Sequence, residues 1–240
     1  MKKLNNPETR DAWIKAQLKA LRPGTSLLDV GAGECPYKPF CEHLTYVSQD
    51  INIYDGEGNS KGLQTGSWSF DQVDIRCDLL DIPEDRKFDT VLCTEVLEHV
   101  PDAVKSLEKI ARLVTKDSGR LVITAPFASL THFAPYHYST GFSEYFYRFH
   151  LDRLGFKIEE LTFNGGFFDF VAQELARVSS VHKQYLGRKL PLATKLAVKG
   201  CRKLIQRIAE KDSMKKANSS ELLSFGLHVV AVSSEETLVQ

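Results

Sequence analysis

The sequence predicts an α/β protein built on a doubly wound, mostly parallel sheet. Two observations carry that prediction. Within 27–50 a short apolar run ends in Gly31, Ala32 and Gly33, a polar connection follows, and a second β-rich run stops at Asp50. Further short apolar runs at 73–77, 88–94 and 121–125 alternate with segments that connect them, the second of helical period, as strands joined by crossover helices would.

In chain order, Asn6 reads as a helix cap with Pro7 in the first turn. Trp13, Ile14, Leu18 and Leu21 then share one face until Arg22, Pro23 and Gly24 end the helix. The first strand is expected at 26–30 and the second at 46–49. Pro36 and Pro39 shorten any helix between them. The doubly wound pattern calls for a helix in 51–72, but Gly56, Gly58, Gly62 and Gly66 stand there with little periodicity. The segment therefore reads as a long loop, either a lid beside a ligand site or a surface excursion. Strands are expected at 73–77 and 88–94. Pro101 and Asp102 open a helix carrying Val104, Leu107, Ala111 and Val114, and a strand at 121–125 is stopped by Pro126. Aromatic and histidine residues crowd 127–150: a loop first, then a helix capped by Gly155, with the aromatics of 145–149 as packing. Strands at 156–163 and 225–232 complete the chain.

The run 27–50 points to a nucleoside. Glycines let a ligand lie against the backbone, and a carboxylate at the end of the second strand can accept both hydroxyls of a ribose. A dinucleotide site wants a third small residue three positions after Gly33, and Pro36 stands there instead. Glu34 beside the loop would repel phosphate, and Asp29 would attract a cation directly or through water. A cationic nucleoside fits these features, and S-adenosylmethionine carries both an ammonium and a sulfonium. A nicotinamide oxidoreductase is disfavoured by the missing glycine.

The run from Leu27 to Gly33, Asp50, the triplet Cys77, Asp78 and Leu79, and the run from Phe88 through Glu95 and His99 to Val100 resemble successive motifs of class I S-adenosylmethionine-dependent methyltransferases. The resemblance is to the broad group that includes the ubiquinone and menaquinone enzymes, and it covers 25–166 plus the last strand. It implies a Rossmann-like sheet of seven strands in the order 3-2-1-4-5-7-6, with strand 7 antiparallel. It also implies one domain over 1–240, with a helical insertion at 167–224. In such enzymes an acid at the position of Asp78 accepts the adenine amino group, Ile51 and Leu79 would flank the ring, and backbone near Thr94 and Glu95 would meet the methionine end.

Methyl transfer from a sulfonium needs alignment above all, and a base only for some acceptors. His132 and His137 lie in the loop expected over the pocket, and Tyr138 could orient an acceptor through its hydroxyl. His99 is either a base or a structural histidine at a helix start. Many relatives carry an Arg-x-Thr-like segment after the loop tyrosine, where this chain has Ser139, Thr140 and Gly141, so no arginine is expected to hold an anion there. Motifs of adenine and cytosine DNA methyltransferases are missing, so no DNA partner is expected. The expected acceptor is a small molecule or glycan-pathway intermediate methylated at oxygen or nitrogen. The alternative is a non-catalytic S-adenosylmethionine-binding protein.

Composition fits a globular protein: of 240 residues, 42% are apolar and 26% charged, and the net charge is zero, which argues against bulk nucleic-acid affinity. The opening residues lack the core of a signal peptide, and no apolar run approaches membrane-spanning length, so a cytoplasmic location is expected. Five cysteines form no zinc spacing, so reduced thiols and no metal are expected. From Lys183 to Lys216 eleven basic residues face two acids. Within 193–209 the residues Ala193, Leu196, Ala197, Gly200, Cys201, Leu204, Ile205 and Ile208 form one stripe, read as a packing face or as a contact with an anionic membrane.

Overall fold

The computed structural model of the protein describes residues 6–215 and 219–234. The leading residues 1–5, Lys216 of the basic run and residues 235–240 lie outside it. The described chain divides into two compact units, a larger one of Pro7–Thr162 with the chain from Gly226 on, and a smaller one centred on Phe163–Phe225.

The larger unit opens with α1 (Asn6–Ala20), whose Ile14 and Leu18 are buried against Leu27, Leu92 and Val122. Strands β1 (Ser26–Val30), β2 (Thr45–Asp50), β3 (Ile75–Arg76), β4 (Thr90–Thr94) and β5 (Arg120–Pro126) follow, with α2 (Ala103–Leu113) between β4 and β5. Then come α3 (Glu144–Arg153), β6 (Phe156–Asn164) and, after the smaller unit, β7 (Gly226–Ser233). The seven strands form one sheet in the order β3-β2-β1-β4-β5-β7-β6. Strands β3, β2, β1, β4 and β5 pair in parallel, and β7 runs antiparallel to β5. This is the doubly wound α/β architecture the apolar runs predict. Leu27, Leu28, Val91, Leu121 and Ile123 are wholly buried, because parallel central strands are covered on both faces.

Register brings the carboxyl ends of the central strands level. Val30 lies opposite Gln49 on one side and Cys93 on the other, and Thr94 lies opposite Thr124. The starts of β1 and β4 are tied by Asp89, whose carboxylate accepts from the Ser26 amide at 2.8 Å and its hydroxyl at 2.7 Å. Loops leaving this edge therefore converge on one place, where open α/β sheets bind ligands.

Three expectations need correction. The strand expected at 73–77 shrinks to two residues. The Asp74 side chain takes the place of a ladder partner, accepting from the Ser48 amide at 2.9 Å and its hydroxyl at 2.7 Å. Between β1 and β2 only a 3-10 turn, Lys38–Phe40, forms in place of a short helix, while 51–72 is the long loop its glycines predict. Tyr145 and Phe149 of α3 do not pack into the core: they are exposed, while Tyr147 is buried.

The smaller unit is built from α4 (Phe167–Leu186) and α5 (Leu192–Ser213), which pack on each other. Gly187 ends α4 in the left-handed conformation. Asp212 near the end of α5 accepts from the Ser219 hydroxyl at 2.6 Å, and that hydroxyl accepts the Phe167 amide at 3.1 Å. Both helices are thereby pinned at one end. The apolar stripe of α5 is not its packed face. Val198, Arg202, Ile205 and Ala209 are the more buried positions, while Leu196 and Leu204 stay exposed.

Candidate active site

A cavity of about 200 Å³ opens at the carboxyl edge of the sheet. Its floor is made by Gly31 after β1, Asp50 and Ile51 after β2, Asp78 and Leu79 after β3, and Glu95 after β4. His99, Phe133, Tyr136 and Tyr138 line the far wall, and Tyr54, Trp68 and Phe70 come from the 51–72 loop.

Gly31 has φ of 66°, and an added Cβ would lie 2.3 Å from Val96 Cγ2, so only glycine turns the chain here. Asp50 accepts the Gly33 amide at 2.9 Å through Oδ2 and the Asn52 amide at 2.7 Å through Oδ1. Asp78 caps the turn Leu79–Asp81, accepting the Leu80 amide at 2.9 Å. Its neighbour Leu79 is buried, while Ile51 is 41% exposed and stands on the same cavity. Glu95 sits at φ 56°, an unfavourable left-handed conformation for a residue with a side chain. It is fixed there by Arg10 at 2.6 Å, by the Thr124 hydroxyl at 3.1 Å, and by its own amide, which donates to the Thr124 carbonyl at 2.8 Å.

Three predicted cofactor residues do not line this cavity. Asp29 is buried beneath it and accepts the Tyr46 hydroxyl at 2.7 Å. Burial first, and then the charge of Asp50, pushes its pKa up to about 7 against the pull of that hydrogen bond. Gly33 is covered by the Trp68 ring, and Thr94 closes β4.

The four residues expected to act on an acceptor are brought together. His99 and Tyr138 line the cavity, and His132 stands edge-on to His99 with ring centres 4.7 Å apart. His137 is 4.8 Å from His132, with its Nε2 3.2 Å from the Ser129 hydroxyl. Burial, then the neighbouring His132 and His137, holds the His99 pKa down to about 4, despite the hydrogen bond to the Tyr136 carbonyl. His137 is lowered for the same first reason and then by His132. His99 is therefore neutral at physiological pH, and His137 is shifted in the same direction.

Several residues of the site escape sequence reasoning. Glu98 is wholly buried beside His99, yet adjacency in a turn reveals nothing of burial. Gln49 spans the floor, donating to the Cys77 carbonyl at 2.7 Å. Tyr54, Trp68 and Phe70 sit in the glycine-rich loop, where three aromatics without periodicity were the available signal. That loop is one wall with the loop before α3: Leu63 and His132 form a parallel bridge, and Tyr54 stacks on Phe133 at 4.5 Å. Gly58 approaches the Ala134 carbonyl so closely that an added Cβ would lie 2.1 Å from its oxygen.

Sheet order, the glycine turn and carboxylates at successive strand ends define the class I nucleoside-binding α/β fold. A family profile described as a methyltransferase domain matches residues 5–176, and the chain belongs to that family. It is an S-adenosylmethionine-dependent methyltransferase, and S-adenosylmethionine is its cofactor. A sequence comparison with curated proteins gives no match. Among solved structures, the chain is similar to a candidate sarcosine dimethylglycine methyltransferase from Galdieria sulphuraria, with TM-score 0.56 and 15% identity, covering 95% of this chain and 87% of that one. It is similar to a SAM-dependent methyltransferase from Archaeoglobus fulgidus, with TM-score 0.53, 15% identity and coverage of 94% and 93%. It is also similar to the magnesium protoporphyrin IX methyltransferase of Synechocystis PCC 6803 with bound SAM, with TM-score 0.50, 17% identity and coverage of 95% and 80%. Identities this low carry the fold and leave the acceptor open.

Proposed function

We propose that the chain methylates a small molecule or glycan-pathway intermediate at oxygen or nitrogen. The observation that supports this most is one cavity bordered by Asp50 and Asp78 on one side and by His99, Phe133, Tyr136 and Tyr138 on the other. Asp50 would accept the ribose hydroxyls, Ile51 and Leu79 would flank the adenine, and Asp78 would accept its amino group. Gly31 and the backbone near Glu95 would meet the methionine end. Bound there, S-adenosylmethionine supplies an electrophilic methyl group on a good leaving group. The chain's own work is then alignment and exclusion of water, which the aromatic wall performs. Tyr138 would orient the acceptor, and His99, with His132 and His137 behind it, would take up the acceptor's proton.

The test is incubation of the purified protein with S-adenosylmethionine and fractionated metabolite extract, read by mass spectrometry. A methylated small molecule and S-adenosylhomocysteine in equal amounts are expected, and much less of both with the Asp50→Ala protein at the same micromolar S-adenosylmethionine. Cofactor binding without turnover on any fraction would count against a small-molecule or glycan-pathway acceptor.

For a partner, the exposed stripe of α5 favours an anionic membrane surface. Leu192, Leu196 and Leu204 are exposed and interleaved with Lys195, Lys199, Lys203 and Arg207. Among the described residues no helix is long and apolar enough to cross a membrane, so contact would be peripheral. Flotation with vesicles rich in anionic lipid at low salt is expected, and its loss in a Leu196→Ser, Leu204→Ser variant. Absence of flotation counts against the reading.

A further inference from the structure

Glu98 is wholly buried, and among the described residues neither carboxylate oxygen meets a hydrogen-bond donor. A carboxylate in that position is costly unless a proton or a cation compensates it. Two imidazole nitrogens face it instead of donors: His99 Nε2 lies 3.7 Å and His132 Nε2 3.9 Å from Oε1. Both separations exceed hydrogen-bond length.

The other nitrogen of each ring is committed. Nδ1 of His99 donates to the Tyr136 carbonyl, and Nδ1 of His132 donates to the Leu130 carbonyl at 2.8 Å. A carbonyl only accepts, so each Nδ1 carries the ring proton and each Nε2 presents a lone pair. Three lone-pair atoms thus converge, all within 4.8 Å of one another. Imidazoles oriented by an Nδ1–H bond to backbone, joined by one carboxylate, are the donor set of a divalent transition metal with an open position.

We propose that Glu98, His99 and His132 bind a divalent transition cation of the zinc class beside the acceptor end of the cavity. Donors around a tetrahedral zinc stand about 3.3 Å apart, so the Glu98–His pairs need to close by roughly half an ångström and the His99–His132 pair, within 4.8 Å, by up to about 1.5 Å. His132 lies on a loop and can supply that movement. His137 is left out, since its Nε2 is turned to the Ser129 hydroxyl. Three protein ligands leave a position that an acceptor hydroxyl would fill, since His99 borders the cavity; with the cation bound, it and not the lone pairs of His99 and His132 would lower the hydroxyl's pKa, and His137 would be the imidazole left to take the proton. That last step rests on the methyl-transfer reading, whereas the cation site itself does not.

The test is calorimetric titration of the chelator-treated full chain with zinc alone, repeated with cobalt alone and read by visible absorption. Wild type, Glu98→Gln and His132→Ala are compared, with circular dichroism and S-adenosylmethionine affinity as checks on folding. Wild type is expected to bind one zinc, and each variant more than about tenfold more weakly while keeping its cofactor affinity. Cobalt should show absorption of nitrogen and oxygen ligation. No zinc binding, equal binding in all three proteins, or a thiolate charge-transfer band placing the cation on cysteines would overturn the assignment. Zinc binding is read without any acceptor, so failure to find a methylated product bears on the proposed function and leaves the cation site standing.

Discussion

Asp50 fixes two turns with one carboxylate, holding the Gly33 amide on one oxygen and the Asn52 amide on the other. Its lone pairs are not exhausted by those bonds, which is what lets it also receive a ribose. Hydrogen bonds to a charged group are worth about 1.5–3 kcal/mol each. Asp50→Ala should therefore weaken S-adenosylmethionine binding by about 100-fold, as read by calorimetry, and Asp50→Asn by less. His228 poses a separate question of residue chemistry. It is buried in β7 and stacks on Trp13 at 4.7 Å, and burial followed by the charge of Arg10 lowers its pKa to about 4. An unfolded histidine titrates near 6.5, so between those values the unfolded chain binds a proton that the folded one refuses. The contribution of His228 is therefore complete above about pH 6.5 and falls away as pH drops toward 4, by at most about 3 kcal/mol. His228→Phe keeps the stack and removes the titration. Urea midpoints at about pH 7 and about pH 4 should differ less in the variant than in wild type, and an equal acid loss in both proteins would contradict this.

Among elements, the pairing of the glycine-rich loop with the loop before α3 governs the shape of the cavity. Leu63 donates to the Thr131 carbonyl at 3.0 Å and receives the Phe133 amide at 3.0 Å. Gly58→Ala would push a methyl group into the Ala134 carbonyl at a φ of 52°, a strain of about 1–3 kcal/mol. Hydrogen exchange at the Leu63 and Phe133 amides should then quicken about tenfold or more with little change in melting temperature. Unchanged exchange would mean the two loops are held by something else. The central strands were legible because their apolar runs are continuous, and Asn6, Asp102 and Gly155 marked helix ends through local chemistry. Gly31, Asp50 and Asp78 were legible because turn and carboxylate recur at strand ends. What stayed hidden depends on contacts far apart in sequence. Asp74 replaces ladder bonds of β3 by reaching Ser48, Leu63 meets His132 across the cavity rim, and Glu98 owes its burial to its surroundings. The stripe of α5 misled for a related reason: periodicity shows that a face is apolar and leaves open whether that face is the one its own unit covers.

At the scale of the whole molecule, the larger unit contains the entire sheet edge and the cavity, while the smaller unit adds a helical pair with a basic, partly apolar surface. Donor recognition therefore belongs to the larger unit and is most directly measured by calorimetric titration of the full chain with S-adenosylmethionine, alongside NAD. One saturable site for S-adenosylmethionine with micromolar affinity, strongly weakened by Asp50→Ala, and no heat with NAD, is the predicted result. No heat with S-adenosylmethionine at millimolar concentration, or undiminished binding to the Asp50→Ala protein, would contradict the assignment of this cavity to the methyl donor.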